Sequence, residues 1–423
     1  MCKTIKIFAG ACLFSVMVQA QKYVGGDISL LPTYEEHGVR YLDQAGVQVE
    51  PLTYFGEKAG WNAMRVRLFV DPSKASDSHK DEGARQDLHY ATALCKRIKD
   101  EGYALMLDFH YSDTWTDPGK HSTPSAWNSS DPNVLADSVY QYTVRSLQYM
   151  KENGVTPDFI QPGNEITHGM IWPTGHCYPD GSSVGTGSFA NLVKYLNAGV
   201  KGCKEVCPEA KIVIHTELSS AWNVTTFYKT LGKQVDYDVI GLSYYPDYHG
   251  TLSTLSSTLN TLGSEHGDKD IMIVETGYGA KWALSGKYSS TVQKTWPLSE
   301  AGQKKFTNDL INELNKHPKV TGLFWWMPED NEYWADAYPA RSSWWNGSLY
   351  TQNTGKPLAA MFELQRFIGK DPTDISNIRS KVSNKESLKA LPVYNLQGQR
   401  VSHSYTLPRG LYIVAGKKLL ISQ

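Results

Sequence analysis

The sequence predicts an α/β fold: a (β/α)8 TIM barrel followed by a short C-terminal β-rich tail. Three observations predict it. Eight short apolar, β-branched runs are spaced along residues 23–326, amphipathic stretches separate them, and the texture changes after Lys370. Near-continuous apolar strands divided by helices indicate a parallel sheet buried on both faces. Eight such units are the count of a closed barrel, whose functional residues gather at the carboxyl ends of the strands.

The runs are Tyr23 to Ile28, Ala63 to Val70, Ala104 to Phe109, Phe159 to Glu165, Ile212 to His215, Val239 to Tyr244, Ile271 to Glu275 and Gly322 to Trp326. Helical patterns fall at Leu88 to Glu101, Val134 to Asn153, Phe189 to Cys207 and Glu300 to Lys316. Pro162 cannot donate to a strand ladder, so pairing in the fourth run is expected to end there and a loop to begin.

Beyond Lys370, Asp371 opens a polar linker that runs to about Lys389. Leu391 to Leu396, a turn at Gly398, and Gly410 to Ile421 then read as three or four short strands with glycine turns. A segment of about 50 residues is marginal as an independent domain. It resembles the C-terminal sorting segments of Bacteroidetes secreted proteins, in which a run like Tyr394-Asn395-Leu396-Gln397-Gly398-Gln399-Arg400-Val401 precedes one like Gly410-Leu411-Tyr412-Ile413-Val414. The alternative is a packing appendage on the barrel.

At the amino end, Lys3 and Lys6 precede an apolar stretch from Ile7 to Val18, and Val18-Gln19-Ala20 places small residues at the positions that determine cleavage. This is the pattern of a signal peptide cut after Ala20. The expected organisation is therefore a signal peptide over 1–20, a catalytic barrel over 21–370, and a linker with its tail over 371–423. The stretch is too short to span a bilayer, so no transmembrane segment is expected. Cys12 would carry a lipid only if cleavage fell unusually early. An exported chain ends in the periplasm, on the cell surface or in the medium.

Export leaves Cys95, Cys177, Cys203 and Cys207. A disulfide between Cys177 and one of the last two is a possibility that an oxidising compartment permits; zinc is disfavoured, because no CxxC or clustered histidine accompanies them. The net charge of -1 gives no general attraction to nucleic acid or acidic lipid. A monomer without a cofactor is expected. Tryptophans beside polar residues and glycines, as in Trp115-Thr116-Asp117-Pro118-Gly119 and Trp344-Trp345-Asn346-Gly347, suit the flat C–H faces of sugar rings, although others of the 12 belong to the core.

The fourth and seventh runs each stop on a glutamate, Glu165 and Glu275. A carboxylate at the end of a buried strand is costly to desolvate, and strands four and seven of a barrel stand nearly opposite each other. Two carboxylates facing one cleft are what acetal hydrolysis needs. Asp27, Asp71, Glu217, Asp247 and Glu329 are rivals on spacing alone.

The chain resembles glycoside hydrolase family 53, the endo-β-1,4-galactanases, over roughly Tyr23 to Gly369. The likeness is carried by Gly26-Asp27-Ile28-Ser29, Arg65-Val66-Arg67-Leu68, the stretch from Asp108 to Lys120, Gly163-Asn164-Glu165, Gly169-Met170-Ile171-Trp172-Pro173, Glu275-Thr276-Gly277-Tyr278 and Gly322-Leu323-Phe324-Trp325-Trp326. The resemblance implies Glu165 as acid/base and Glu275 as nucleophile of a retaining mechanism acting on pectic galactan. A retaining pair sits about 5 Å apart, so an ionised Glu275 would hold a proton on Glu165 by repulsion.

Arg65 or Arg67 would keep Glu275 ionised; Arg67, nearer the catalytic end, is the expected one. Asn164 is expected to meet the sugar 2-hydroxyl, or else to cap a loop. Tyr244 or Tyr245 is expected to orient Glu275, with Tyr244 assigned to the site. His110 is a sugar ligand or a satisfied core histidine, and His215 is a weaker candidate. Asp113, Trp115, Trp172, Trp222 and Trp326 are the candidate sugar-binding residues, the last as a floor beside the scissile bond.

Two departures from the family pattern stand out. Trp-Glu-Pro after strand eight is here Trp326-Met327-Pro328, and Gly279 to Ser299 contains no acidic residue, so no calcium is expected in that loop. The alternatives are a related barrel hydrolase of mannan or xylan, or a non-catalytic glycan-binding protein.

Overall fold

A computed structural model describes residues 20–178, 187–218, 220–282, 284–336 and 347–371, with the backbone of four further strands in the tail. The signal-peptide residues before Ala20, including Cys12, and the Trp344-Trp345-Asn346 platform lie outside the described residues. Eight parallel strands close into a barrel in chain order: β1 Tyr23–Asp27, β2 Ala63–Leu68, β3 Ala104–Phe109, β4 Phe159–Pro162, β5 Lys211–Glu217, β6 Val239–Tyr244, β7 Asp270–Thr276 and β8 Val320–Trp326. The ring closes through β1 and β8, which pair from Tyr23 and Gly322 to Asp27 and Trp326. The expected (β/α)8 fold is the observed one.

β4 ends at Pro162, where the missing N–H stops the ladder, and two residues, Gly163 and Asn164, separate it from Glu165. Helices Leu88–Asp100, Pro132–Glu152, Ala190–Val206 and Glu300–Leu314 follow the expected patterns. Asp87, Asp131 and Ser299 cap three of them by accepting backbone N–H bonds at their first turns. Leu252–Glu265 is helical despite its serines and threonines, which are mediocre helix formers; Leu255, Leu259 and Leu262 on one face are buried and supply the drive.

Alternation along the strands sorts side chains into two cores. Outward residues such as Val66, Leu107, Ile214, Leu242 and Ile273 pack in the layer beneath the helices. Inward residues Ala63, Met106, Phe159, Val213, Val239, Met272, Val274 and Phe324 fill the amino-terminal half of the barrel. The carboxyl-terminal half is filled instead by charged and polar groups. Gly25 is required at the β1–β2 seam, because a Cβ there would lie 1.7 Å from the carbonyl oxygen of Ala63.

The four cysteines after Ala20 are buried and unpaired, so the disulfide considered for Cys177 is not formed. Among the described residues no helix is long and apolar enough to cross a membrane. In the tail, β9 Val393–Tyr394, β10 Arg400–Val401, β11 Gly410–Val414 and β12 Lys417–Ile421 make an antiparallel sheet in the order β10-β9-β11-β12.

Candidate active site

A cavity of about 380 Å³ opens at the carboxyl ends of the strands, and both Glu165 and Glu275 line it. The backbone around it departs from regular geometry where side chains must be aimed. Tyr111, Glu165, Ile171 and Met327, none of them glycine, take left-handed φ values of 48°, 49°, 56° and 50° in the segments that leave β3, β4 and β8. Each such residue costs on the order of 1–3 kcal/mol, which the surrounding contacts must offset.

Glu275 sits near the end of β7, where the register with both neighbouring strands shifts. Its Oε1 lies 2.9 Å from Nη1 of Arg65, and its Oε2 accepts a hydrogen bond from the Tyr245 hydroxyl at 3.0 Å. Burial pushes its pKa upward. Arg65 and Tyr245 pull it down, while the neighbouring charges of Asp27 and Asp108 push it up.

Glu165 begins a short helical turn over Ile166–His168, and its backbone is pinned at two points. Its N–H lies 3.3 Å from Nδ1 of His215, and its carbonyl lies 3.2 Å from Nε2 of His121. Burial raises its pKa well above the usual carboxylate range, and the charges of Glu275 and then Glu217 raise it further, against a hydrogen bond from the Ser243 hydroxyl. Arg65 touches Glu275 and not Glu165, so the proton shared by the pair rests on Glu165. One cavity therefore holds a carboxylic acid beside a carboxylate.

Beneath them lies a buried polar layer centred on Arg65, which has no solvent exposure. Besides Glu275, its guanidinium reaches Asp27 at 2.9 Å, Asp108 at 2.7 Å and the side-chain oxygen of Asn164 at 2.9 Å. That bond and the one from Asn164 Nδ2 to the Thr116 carbonyl, 2.7 Å, fix the amide beside the acid. Burial alone would raise Asp108, but Arg65 and His110 outweigh it and hold it below its ordinary value. Thr116 donates its N–H to Nδ1 of His110 at 2.8 Å, which leaves the imidazole proton on Nε2, 2.9 Å from Asp108.

Arg67 was the expected partner of Glu275, and Arg65 takes that place. Both arginines face inward, one layer apart. Arg67, in the upper layer, lies 4.6 Å from the Trp326 ring centroid and points its Nε at Asp27, 3.3 Å away, while the deeper Arg65 reaches the axis. Tyr244 is corrected to Tyr245 in the same way: Tyr244 faces outward and donates to the Gly250 carbonyl at 2.8 Å.

Arg67, His110, Trp115, Asn164 and Trp326 line the cavity. Asp113, Trp172, Trp222 and Tyr244 do not. Asp113 is an anchor for its own loop, accepting the Ser125 N–H at 2.8 Å. Trp172 stacks on His176 with centroids 3.9 Å apart, and Trp222 is 58% exposed on the helix Ala221–Leu231. Tyr245, Tyr248, His249, Glu217 and Met327 line the cavity without having been singled out as sugar ligands.

Of the rival acids, Asp27 is held by Arg65 and Arg67, Asp71 caps the turn Pro72–Lys74, and Glu329 accepts the Leu30 N–H at 3.0 Å in full burial. Asp247 is buried in the turn after β6, and Glu217 accepts from Thr167 at the cavity edge. Among the described residues no group of three or more His, Cys, Asp or Glu side chains has the arrangement of a metal site.

Comparison with known proteins bears on the same span. The profile of Glycosyl hydrolase family 53 matches residues 23–364. A probable arabinogalactan endo-β-1,4-galactanase A of Neosartorya fischeri is 34% identical over 317 residues, 72% of this chain and 83% of that protein. The arabinogalactan endo-β-1,4-galactanase of Humicola insolens is 33% identical over 321 residues, 73% of this chain and 90% of its own. Among solved structures, the GH53 catalytic domain of Ignisphaera aggregans superposes with a TM-score of 0.73 at 31% identity, covering 82% of this chain and 96% of that one. A fungal β-1,4-galactanase superposes with a TM-score of 0.67 at 29% identity, covering 82% and 100%.

Proposed function

The chain belongs to glycosyl hydrolase family 53, and from that membership we propose that it is an exported endo-β-1,4-galactanase that cuts internal bonds of galactan or arabinogalactan with net retention. The observation that carries the reading is the unequal environment of the two glutamates in one cavity: Glu275 bonded to Arg65 and Tyr245, Glu165 buried against like charge. In the first step the Glu275 carboxylate forms a bond to the anomeric carbon as the glycosidic C–O bond breaks, and Glu165 gives its proton to the leaving oxygen. In the second, Glu165 takes a proton from water, the water oxygen bonds to the anomeric carbon, and the Glu275 carboxylate leaves.

Arg67, His110, Trp115, Asn164 and Trp326 hold the sugar next to the scissile bond. Asn164 has one amide hydrogen on the Thr116 carbonyl and a second available to a sugar hydroxyl, a contact that tightens as the ring flattens. Trp172 and Trp222 lie outside the cavity lining, where only an outer sugar unit could reach them. Residues 1–20 act as the removable export signal, and 371–423 as the linker and tail. The chain works as a monomer and without a cofactor.

The test is hydrolysis of a panel of β-1,4-galactan, mannan and xylan by the wild-type chain and by Glu165→Gln and Glu275→Gln. Galactan is expected to be cut to short oligosaccharides, and each variant to lose about a hundredfold or more in kcat. Unaltered hydrolysis by either variant overturns the catalytic assignment, and preference for another polymer overturns the substrate.

A further inference from the structure

Among the described residues two histidines line the cavity, and only His110 has a place in the layer described above. The other, His249, closes the turn Pro246–His249 that follows β6. The turn is locked reciprocally. The backbone N–H of His249 donates to the carbonyl of Tyr245 at 2.8 Å, and the backbone N–H of Tyr245 donates to Nδ1 of His249 at 3.0 Å. The bond from Tyr244 to the Gly250 carbonyl pins the far end. The imidazole stands among Tyr244, Tyr245 and Tyr248, with ring centroids 6.3 to 6.5 Å away.

An Nδ1 that accepts a backbone N–H carries no proton, so the neutral ring must carry its proton on Nε2. Burial drives the pKa of His249 down to about 3, so the ring stays neutral over the range in which a glycosidase works. The result is a single fixed N–H donor, in one tautomer, on the same short segment as the tyrosine that bonds Glu275. Its orientation is set before a ligand arrives, so little side-chain entropy is lost on binding.

We propose that His249 is a substrate-binding residue whose Nε2–H donates to a hydroxyl of the galactosyl unit that meets Glu275. The proposal rests on the galactanase reading and adds to it a donor supplied by the loop after β6. His249→Asn retains an acceptor oxygen near the position of Nδ1 and removes the Nε2 donor, whereas His249→Gln places an amide N–H near Nε2. On β-1,4-galactan, His249→Asn is expected to lose about tenfold in kcat/KM, the worth of one neutral hydrogen bond, with the acid limb of its pH profile unmoved. His249→Gln is expected to recover part of the loss.

Wild-type kcat/KM in His249→Asn overturns the proposal. So does a loss that comes with a displaced acid limb, because His249 would then act through Tyr245 and Glu275. If His249→Asn melts early, the comparison passes to His249→Gln against His249→Leu, which both give up the Nδ1 acceptor and differ in the donor; equal activity overturns the proposal. A wild-type chain that leaves galactan intact removes the reading itself, a failure distinct from a silent His249 variant.

Discussion

The guanidinium of Arg65 lies 2.9 Å from the carboxylate of Glu275 and touches Asp27 and Asp108 as well, so one buried cation serves three acids in the floor of the cavity. The nucleophile's charge and the stability of the barrel therefore depend on the same side chain. Arg65→Met is expected to destabilise the fold by about 3–5 kcal/mol, because it leaves buried carboxylates uncompensated. Urea denaturation measures it, and a loss under about 1 kcal/mol would mean the pair is not buried as described.

Tyr245→Phe removes a hydrogen bond that favours the charged form of Glu275. The pKa of Glu275 should rise, so the acid limb of kcat/KM should move to higher pH, with a loss of about tenfold at the optimum. Tyr244→Phe gives up only a bond to the Gly250 carbonyl and should leave the limb in place. Profiles of the two variants side by side check the assignment.

The alkaline limb belongs to Glu165, which must carry a proton for the first step, so activity falls as pH rises through its elevated pKa. Glu217 contributes to that elevation through its negative charge. Glu217→Gln should lower the pKa of Glu165 and draw the alkaline limb to lower pH. A limb that stays fixed would detach Glu217 from the acid.

Glu329 and Asp330 are fully buried, and burial raises both, Asp330 to about 8. A carboxyl with a folded pKa above its unfolded value stabilises the fold fully below the unfolded value, about 4, and that contribution is lost as pH rises through the folded one. The urea midpoint should therefore fall between pH 4 and pH 8. Asp330→Asn, which keeps an acceptor for the Tyr34 hydroxyl, should flatten the decline.

The barrel was legible because strands buried on both faces read as continuous apolar runs, and much of the site was legible by parity. Counting by twos from Ala63, Met106, Phe159, Val213, Val239 and Phe324, all in the inner core, places Arg65, Arg67, Asp108, His110, Gln161, His215, Glu217, Ser243, Tyr245 and Trp326 inward. That count selects Tyr245 over Tyr244. It does not choose between Arg65 and Arg67, which share the face; how far each side chain reaches decides.

Of the two glutamates, Glu165 keeps the parity of Phe159 but lies past the end of β4, and Glu275 breaks the count from Met272 and Val274. Glu165 itself takes a left-handed conformation after the loop, and Glu275 lies where β7 slips register against its neighbours. Neither irregularity has a signal in an apolar pattern; the ends of the fourth and seventh runs offered both glutamates as candidates, and only the family likeness set them above the rival acids. Trp172 and Trp222 mark the other limit. An indole beside polar groups has the composition of a sugar platform, but composition does not say which way the backbone turns it.

The most direct measurement of the central claim is azide rescue of Glu165→Ala and Glu275→Ala on an activated aryl β-1,4-galactobioside, reading the configuration of the glycosyl azide. With Glu165 as acid/base and Glu275 as nucleophile, Glu165→Ala should yield the β-azide, because azide attacks the covalent intermediate. Glu275→Ala should yield the α-azide, because azide occupies the place of the missing carboxylate. The opposite configurations, or no azide product from either variant, would contradict the account.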